Sequence, residues 1–81
     1  MICYVYRSRR RADAYLYLPC QDDFSAVPDA LMQMFGMAEF ALEFELTPVR
    51  RLAQADAEQV LGNLREQGFH LQMPPANDRP F

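Results

Sequence analysis

Lysine is absent from this chain, and all eight basic residues are arginine. Without a lysine amine, Schiff-base chemistry and a lysine nucleophile are excluded. Glycine is scarce, at 36, 62 and 68 only, and no glycine-rich loop follows a strand. Neither a phosphate cradle nor a dinucleotide fingerprint can be built from three such isolated residues. His70 is the single histidine and has no spaced Cys or His companions, so zinc-type ligation has no basis and His70 reads as a sheet residue on the wet side. Two cysteines are too few for the disulfide framework of a small secreted scaffold; Cys3 and Cys20 are expected to be free thiols. No apolar run approaches the length that crosses a bilayer, and the opening Met-Ile-Cys-Tyr-Val-Tyr has no basic region ahead of it and no cleavage site after it. A soluble cytoplasmic protein with no membrane association is expected.

The 81 residues are 51% hydrophobic and 23% charged, the composition of a folded globular domain. A chain this short buries about 60–65% of its extended surface, so its stability is on the order of 5 kcal/mol. A single domain over residues 1–75 is expected. Pro74, Pro75 and Pro80 keep the remainder out of any sheet, which leaves 76–81 as a loose tail. The net charge of −3 argues against a whole-surface nucleic-acid binder.

The strongest local pattern lies within a strand predicted over 38–46. From Phe40 to Leu46 the residues alternate strictly, with Phe40, Leu42, Phe44 and Leu46 on one side and Ala41, Glu43 and Glu45 on the other. That strand is expected to supply the middle of the sheet's apolar face, with Phe44 among the least exposed residues. An N-terminal hairpin is predicted over 2–6 and 13–18, with the polar run from Arg7 to Asp13 as its loop. Period 2 sorts it into Cys3, Val5, Leu16 and Leu18 on one face and Tyr4, Tyr6, Tyr15 and Tyr17 on the other. Because neither face is plainly polar, the pair is placed inside the sheet with the strand of Phe40 to Leu46 beside it, and the tyrosine face is either roofed or a binding surface. The basic run Arg7 to Arg11 reads as a solvated turn.

A helix is predicted over about 28–35, with Pro28 at its first position, Leu31, Met34 and Phe35 on one stripe and Gly36 as the left-handed cap. A second is predicted over about 56–67, with Asp56 as N-cap, Gln59 reaching back to it, and Val60, Leu61 and Leu64 as the buried stripe. Gly62 weakens this helix unless another backbone approaches it closely. A short strand over 69–72 completes an α+β fold of four strands, mixed or antiparallel, and two helices.

Several separated strings occur in a fixed order: Tyr6-Arg7-Ser8, Tyr15-Leu16-Tyr17-Leu18, Asp22-Asp23-Phe24-Ser25-x-Val27-Pro28, Phe35-Gly36 and Leu71-Gln72-Met73-Pro74-Pro75. In this the chain resembles the YcgL family of small bacterial proteins over residues 2–75. The resemblance implies a compact α/β sandwich in a Gram-negative cytoplasm, and it carries no established activity, cofactor or catalytic residues across. Some relatives have longer tails.

The residues themselves offer surfaces rather than a catalytic constellation. Four tyrosines on one hairpin face, beside Arg7 and Ser8, form a candidate binding surface, and no cofactor or metal is implied. The leading expectation is a small cytosolic binding or adaptor module for a protein partner. One alternative is an enzyme with a cleft near Asp22, Asp23, Ser25 and Gln72; another is an RNA-binding accessory that uses the hairpin's tyrosine face, Tyr4, Tyr6, Tyr15 and Tyr17, with the arginines of its turn, Arg7, Arg9, Arg10 and Arg11. The acidic pair Asp22-Asp23 reads first as a cap for the following helix.

Overall fold

The computed structural model describes residues 1–11, 13–47 and 57–72. The expected α+β fold forms. Strands β1 (Ile2–Ser8), β2 (Tyr15–Leu18), β3 (Ala38–Glu45) and β4 (His70–Gln72) alternate with helices α1 (Asp29–Phe35) and α2 (Ala57–Glu66) in the order β1, β2, α1, β3, α2, β4. The sheet is antiparallel throughout, with spatial order β3-β1-β2-β4. The hairpin therefore sits at the centre, as strands apolar on both sides require.

The register of that hairpin corrects its predicted faces. Tyr4 opposes Leu18, Val5 opposes Tyr17 and Tyr6 opposes Leu16. Directly opposed residues share a face, so Tyr4, Tyr6, Leu16 and Leu18 lie together, and Cys3, Val5, Tyr15 and Tyr17 lie on the reverse. Each face carries two tyrosines. Alternation within a strand says which residues go together, but only the loop sets the phase of one strand against the next.

Each face has its own helix. On the first, Tyr6, Leu16 and Leu18 pack with Val27, Phe35 and Phe69, and Leu31 and Met32 of α1 close over them. On the second, Cys3, Val5 and Tyr17 pack with Leu46 and with Ala57, Val60, Leu61 and Leu64 of α2. The apolar stripe predicted for α2 is the buried one. Phe35, Leu16, Leu18, Leu46 and Val60 are the large side chains sealed most completely.

Strand β3 is not the middle of the sheet but its edge, and most of its side chains are exposed. Its strict alternation is also broken in space. Val5 opposes Leu42 while the next residue, Tyr6, opposes Phe40, so a bulge at Ala41 shifts the phase. Leu42 and Phe44 thus face α2, whereas Phe40 turns to the α1 side, where its ring meets Tyr6 edge-on at 5.6 Å. Phe44 is only half-buried, and Phe40 and Leu42 keep 45% and 48% of their surface exposed.

Helix α1 starts one residue later than predicted. Pro28, with φ −59° and ψ 145°, is the N-cap rather than the first helical residue. Gly36 does end the helix at φ 81°, its N–H donating to the Met32 carbonyl at 2.8 Å. The predicted Asp56 cap and the predicted tail over 76–81 lie outside the described residues.

Candidate functional site

The hairpin end of the sheet is held by one small residue. Ser8 is buried at the end of β1; its Oγ donates to the Phe35 carbonyl and accepts the backbone N–H groups of Arg10 and Arg11 at 3.0 and 2.8 Å. Arg10 donates from Nη1 to the Gln33 carbonyl at 3.1 Å, and Arg11 from Nε to the Met34 carbonyl at 3.2 Å. The last carbonyls of a helix have no partner within it and carry the negative end of its dipole. The arginine run predicted as a solvated turn is in part the C-terminal cap of α1. Arg10 lies across Gly36, where a Cβ would stand 3.0 Å from the Arg10 Cβ.

Beside this cap, Arg7, Ser8, Arg9, Arg10, Asp13, Tyr15 and Glu39 line an open concavity of about 620 Å³. Register builds it: Arg7 opposes Tyr15 on one side and Glu39 on the other. The Arg7 Nε donates to Glu39 Oε1 at 3.0 Å, an exposed pair that orients the guanidinium more than it stabilises the fold. Of the sequence-predicted binding residues, the concavity gathers Arg7, Ser8 and Tyr15.

The others are placed elsewhere. Tyr6 is buried, and its hydroxyl donates to Asp22 Oδ1 at 2.9 Å while accepting the Asp22 N–H at 2.7 Å; burial raises its pKa. Asp23 Oδ1 accepts from Ser25 N at 3.1 Å and Ser25 Oγ at 2.6 Å, bonds that hold its carboxyl below the usual value. The acidic pair closes the turn before α1 instead of capping the helix, since no side chain caps Pro28. Tyr17 donates to Gln72 Oε1 at 3.1 Å, and burial raises the Tyr17 pKa. Tyr4 is half-buried against the α1 cluster.

Two predicted surfaces are thereby corrected. Gln72 opposes Tyr15 and shares the α2 face, whereas Asp22 meets Tyr6 on the α1 face. The cleft of Asp22, Asp23, Ser25 and Gln72 is not assembled, because the sheet stands between its members. The tyrosine stacking platform is likewise divided by the sheet, two rings under each helix. His70 is also not on a wet face. It opposes Tyr17 on the α2 side, its Nδ1 lies 2.9 Å from Asn63 Nδ2, and its ring meets Tyr17 edge-on at 5.5 Å. Burial lowers its pKa, which favours the neutral imidazole. Among the described residues no group of three His, Cys, Asp or Glu side chains could hold a metal ion, and no helix is long and apolar enough to cross a membrane.

A family model described as the YcgL domain matches residues 3–75. The chain belongs to the YcgL family. A YcgL domain-containing protein of Thioalkalivibrio sulfidiphilus is 62% identical over 81 residues, covering 100% of both chains. Another, of Proteus mirabilis, is 49% identical over 75 residues, which are 93% of this chain and 77% of that one. A third, of Pseudomonas aeruginosa, is 46% identical over 77 residues, 95% of this chain and 79% of that one. The strings that carried the YcgL resemblance prove to be tied to one another: Tyr6 bonds Asp22, Ser8 bonds Phe35, and Tyr17 bonds Gln72. Each bond joins two strings that are distant in sequence, so these YcgL motif residues build the frame. Sequence reasoning missed Asp13 and Glu39 in the concavity and the exposed edge at Phe40 and Leu42. An alternating strand signals an apolar face, and nothing in the alternation says whether the chain's own helices reach it.

Proposed function

We propose that this YcgL domain is a small cytosolic binding module that takes an extended segment of a protein partner along β3. The observation that carries the reading is the exposed edge itself. β3 is eight residues long and, among the described residues, pairs only with β1. A strand edge presents unpaired N–H and C=O groups to another chain. The bulge at Ala41 puts exposed Phe40 on one face and exposed Leu42 on the other, so an added strand has an apolar contact on each side. A second copy of this chain fits poorly, since β3 carries three glutamates and no basic residue, and like charges brought together across paired strands are destabilising. The exposed Glu43 carboxylate has no partner among the described residues, whereas Glu39 is held by Arg7 and Glu45 by the N-terminal amine, so the edge favours a partner segment with a basic residue.

Parallel affinity capture tests this, with the parent and a Phe40→Ser, Leu42→Ser double variant as baits and cross-linking mass spectrometry to map the contact. The expected result is a protein held by the parent, lost with the variant and cross-linked beside β3. Equal capture by both baits, or cross-links confined to α2, would overturn the reading.

A further inference from the structure

We propose that the concavity at the hairpin end is an oxyanion site, independent of the β3 edge, that takes a phosphate or carboxylate group on Arg7, Arg9 and Arg10. Three arginines line it in a chain whose net charge is −3, so the concavity gathers basic residues on an acidic protein. Two of the three are already oriented. Arg7 is fixed through Nε by Glu39, and Arg10 through Nη1 by the Gln33 carbonyl. A guanidinium has five N–H donors in a rigid fork, and each of these contacts uses one. The Arg9 side chain has no hydrogen-bond or ion-pair partner among the described residues, while its backbone N–H is anchored to the Met37 carbonyl at 3.0 Å. Oriented forks with donors to spare, on an anchored loop, match the oxygens of phosphate or carboxylate. Tyr15 forms part of the wall and is packed against the α2 cluster. Asp13 and Glu39 lower the field in the same concavity. Glu39 is engaged in orienting Arg7, which leaves Asp13 as the opposing charge whose removal strengthens binding.

NMR titration of the whole protein with inorganic phosphate, and separately with acetate, at constant ionic strength set by chloride, tests the site. Saturable shifts of the Arg7, Arg9 and Arg10 Nε–H and backbone resonances are expected. Arg9→Gln should weaken binding by about tenfold, the loss of one charge-assisted contact of roughly 1.4 kcal/mol. Asp13→Asn should tighten it by about threefold, within the range of a surface charge interaction. Asp13 has φ 66°, a conformation that asparagine also tolerates, so this variant keeps the loop. Arg65→Gln, in the last turn of α2, is the control and should change nothing. Saturation by phosphate alone assigns the site to phosphate groups, and saturation by both anions widens it to carboxylates. Linear, non-saturating shifts, or an affinity that ignores both Arg9→Gln and Asp13→Asn, would overturn the proposal.

Discussion

Gly62 should be an unfavourable residue in the middle of α2. Glycine in a helix interior is tolerated when its missing Cβ lets something approach, but among the described residues a Cβ built at Gly62 meets nothing within 4 Å beyond its own helix. The position is half-buried, and its helix packs through Val60, Leu61 and Leu64 instead. Gly62→Ala therefore removes the backbone entropy cost of glycine without a steric cost, which should stabilise the domain by about 0.8–1.0 kcal/mol. For a domain of this size that corresponds to a rise in Tm of roughly 4–8 °C. Thermal melts by circular dichroism measure it, and urea titrations with an unchanged m-value confirm that only stability has moved. The sequence alone allowed a close backbone approach at Gly62, and that reading requires the opposite sign. A lower Tm for Gly62→Ala would show that α2 packs more closely there than its open surroundings indicate.

Phe35→Ala should cost about 3–5 kcal/mol because Phe35 is fully enclosed, whereas half-buried Phe44→Ala should cost clearly less; equal costs by urea denaturation would contradict the placement of β3 at the edge. Ser8→Ala strands one carbonyl and two N–H groups at the α1 cap and should cost about 1–3 kcal/mol, so a melt unchanged from the parent would refute the capping role. Burial raises the Cys3 thiol pKa from 9.0 to about 11. Between those values the unfolded chain has lost a proton that the native state keeps, so this contribution is complete below pH 9 and is lost as pH rises towards 11. Cys3→Ala should flatten the alkaline decline in stability, and thiol labelling of the native parent should modify exposed Cys20 well before buried Cys3; simultaneous labelling of both would contradict the buried position of Cys3.

Much of the frame was legible because it follows from local rules. The hairpin's doubly apolar strands required a central position, the spacing of Val60, Leu61 and Leu64 gave the buried face of α2, and Gly36 marked the end of α1. What failed was phase. The tyrosines were assigned to a single face because alternation within β1 and within β2 contains no information on how the two strands are offset. The alternation from Phe40 to Leu46 pointed to one continuous apolar face because a bulge at one alanine leaves no mark in the pattern. The same limit hid the site. Asp13, Tyr15 and Glu39 join the arginines only through the pairing of β1 with both neighbours, and the capping roles of Arg10 and Arg11 depend on where α1 ends in space. Charge patterning alone could not separate arginines that close a helix from one left open to a ligand.

The central claim is that the joined motif residues hold the frame while the β3 edge is left for a partner. A photo-crosslinking residue in place of Phe40, compared with the same residue in place of exposed Glu66 on α2, tests it directly in the living bacterium. The account predicts one dominant adduct from position 40, its cross-linked peptide an extended segment containing basic residues, and none of that adduct from position 66. The same adduct pattern from both positions, or adducts formed only with a second copy of this chain, would contradict it.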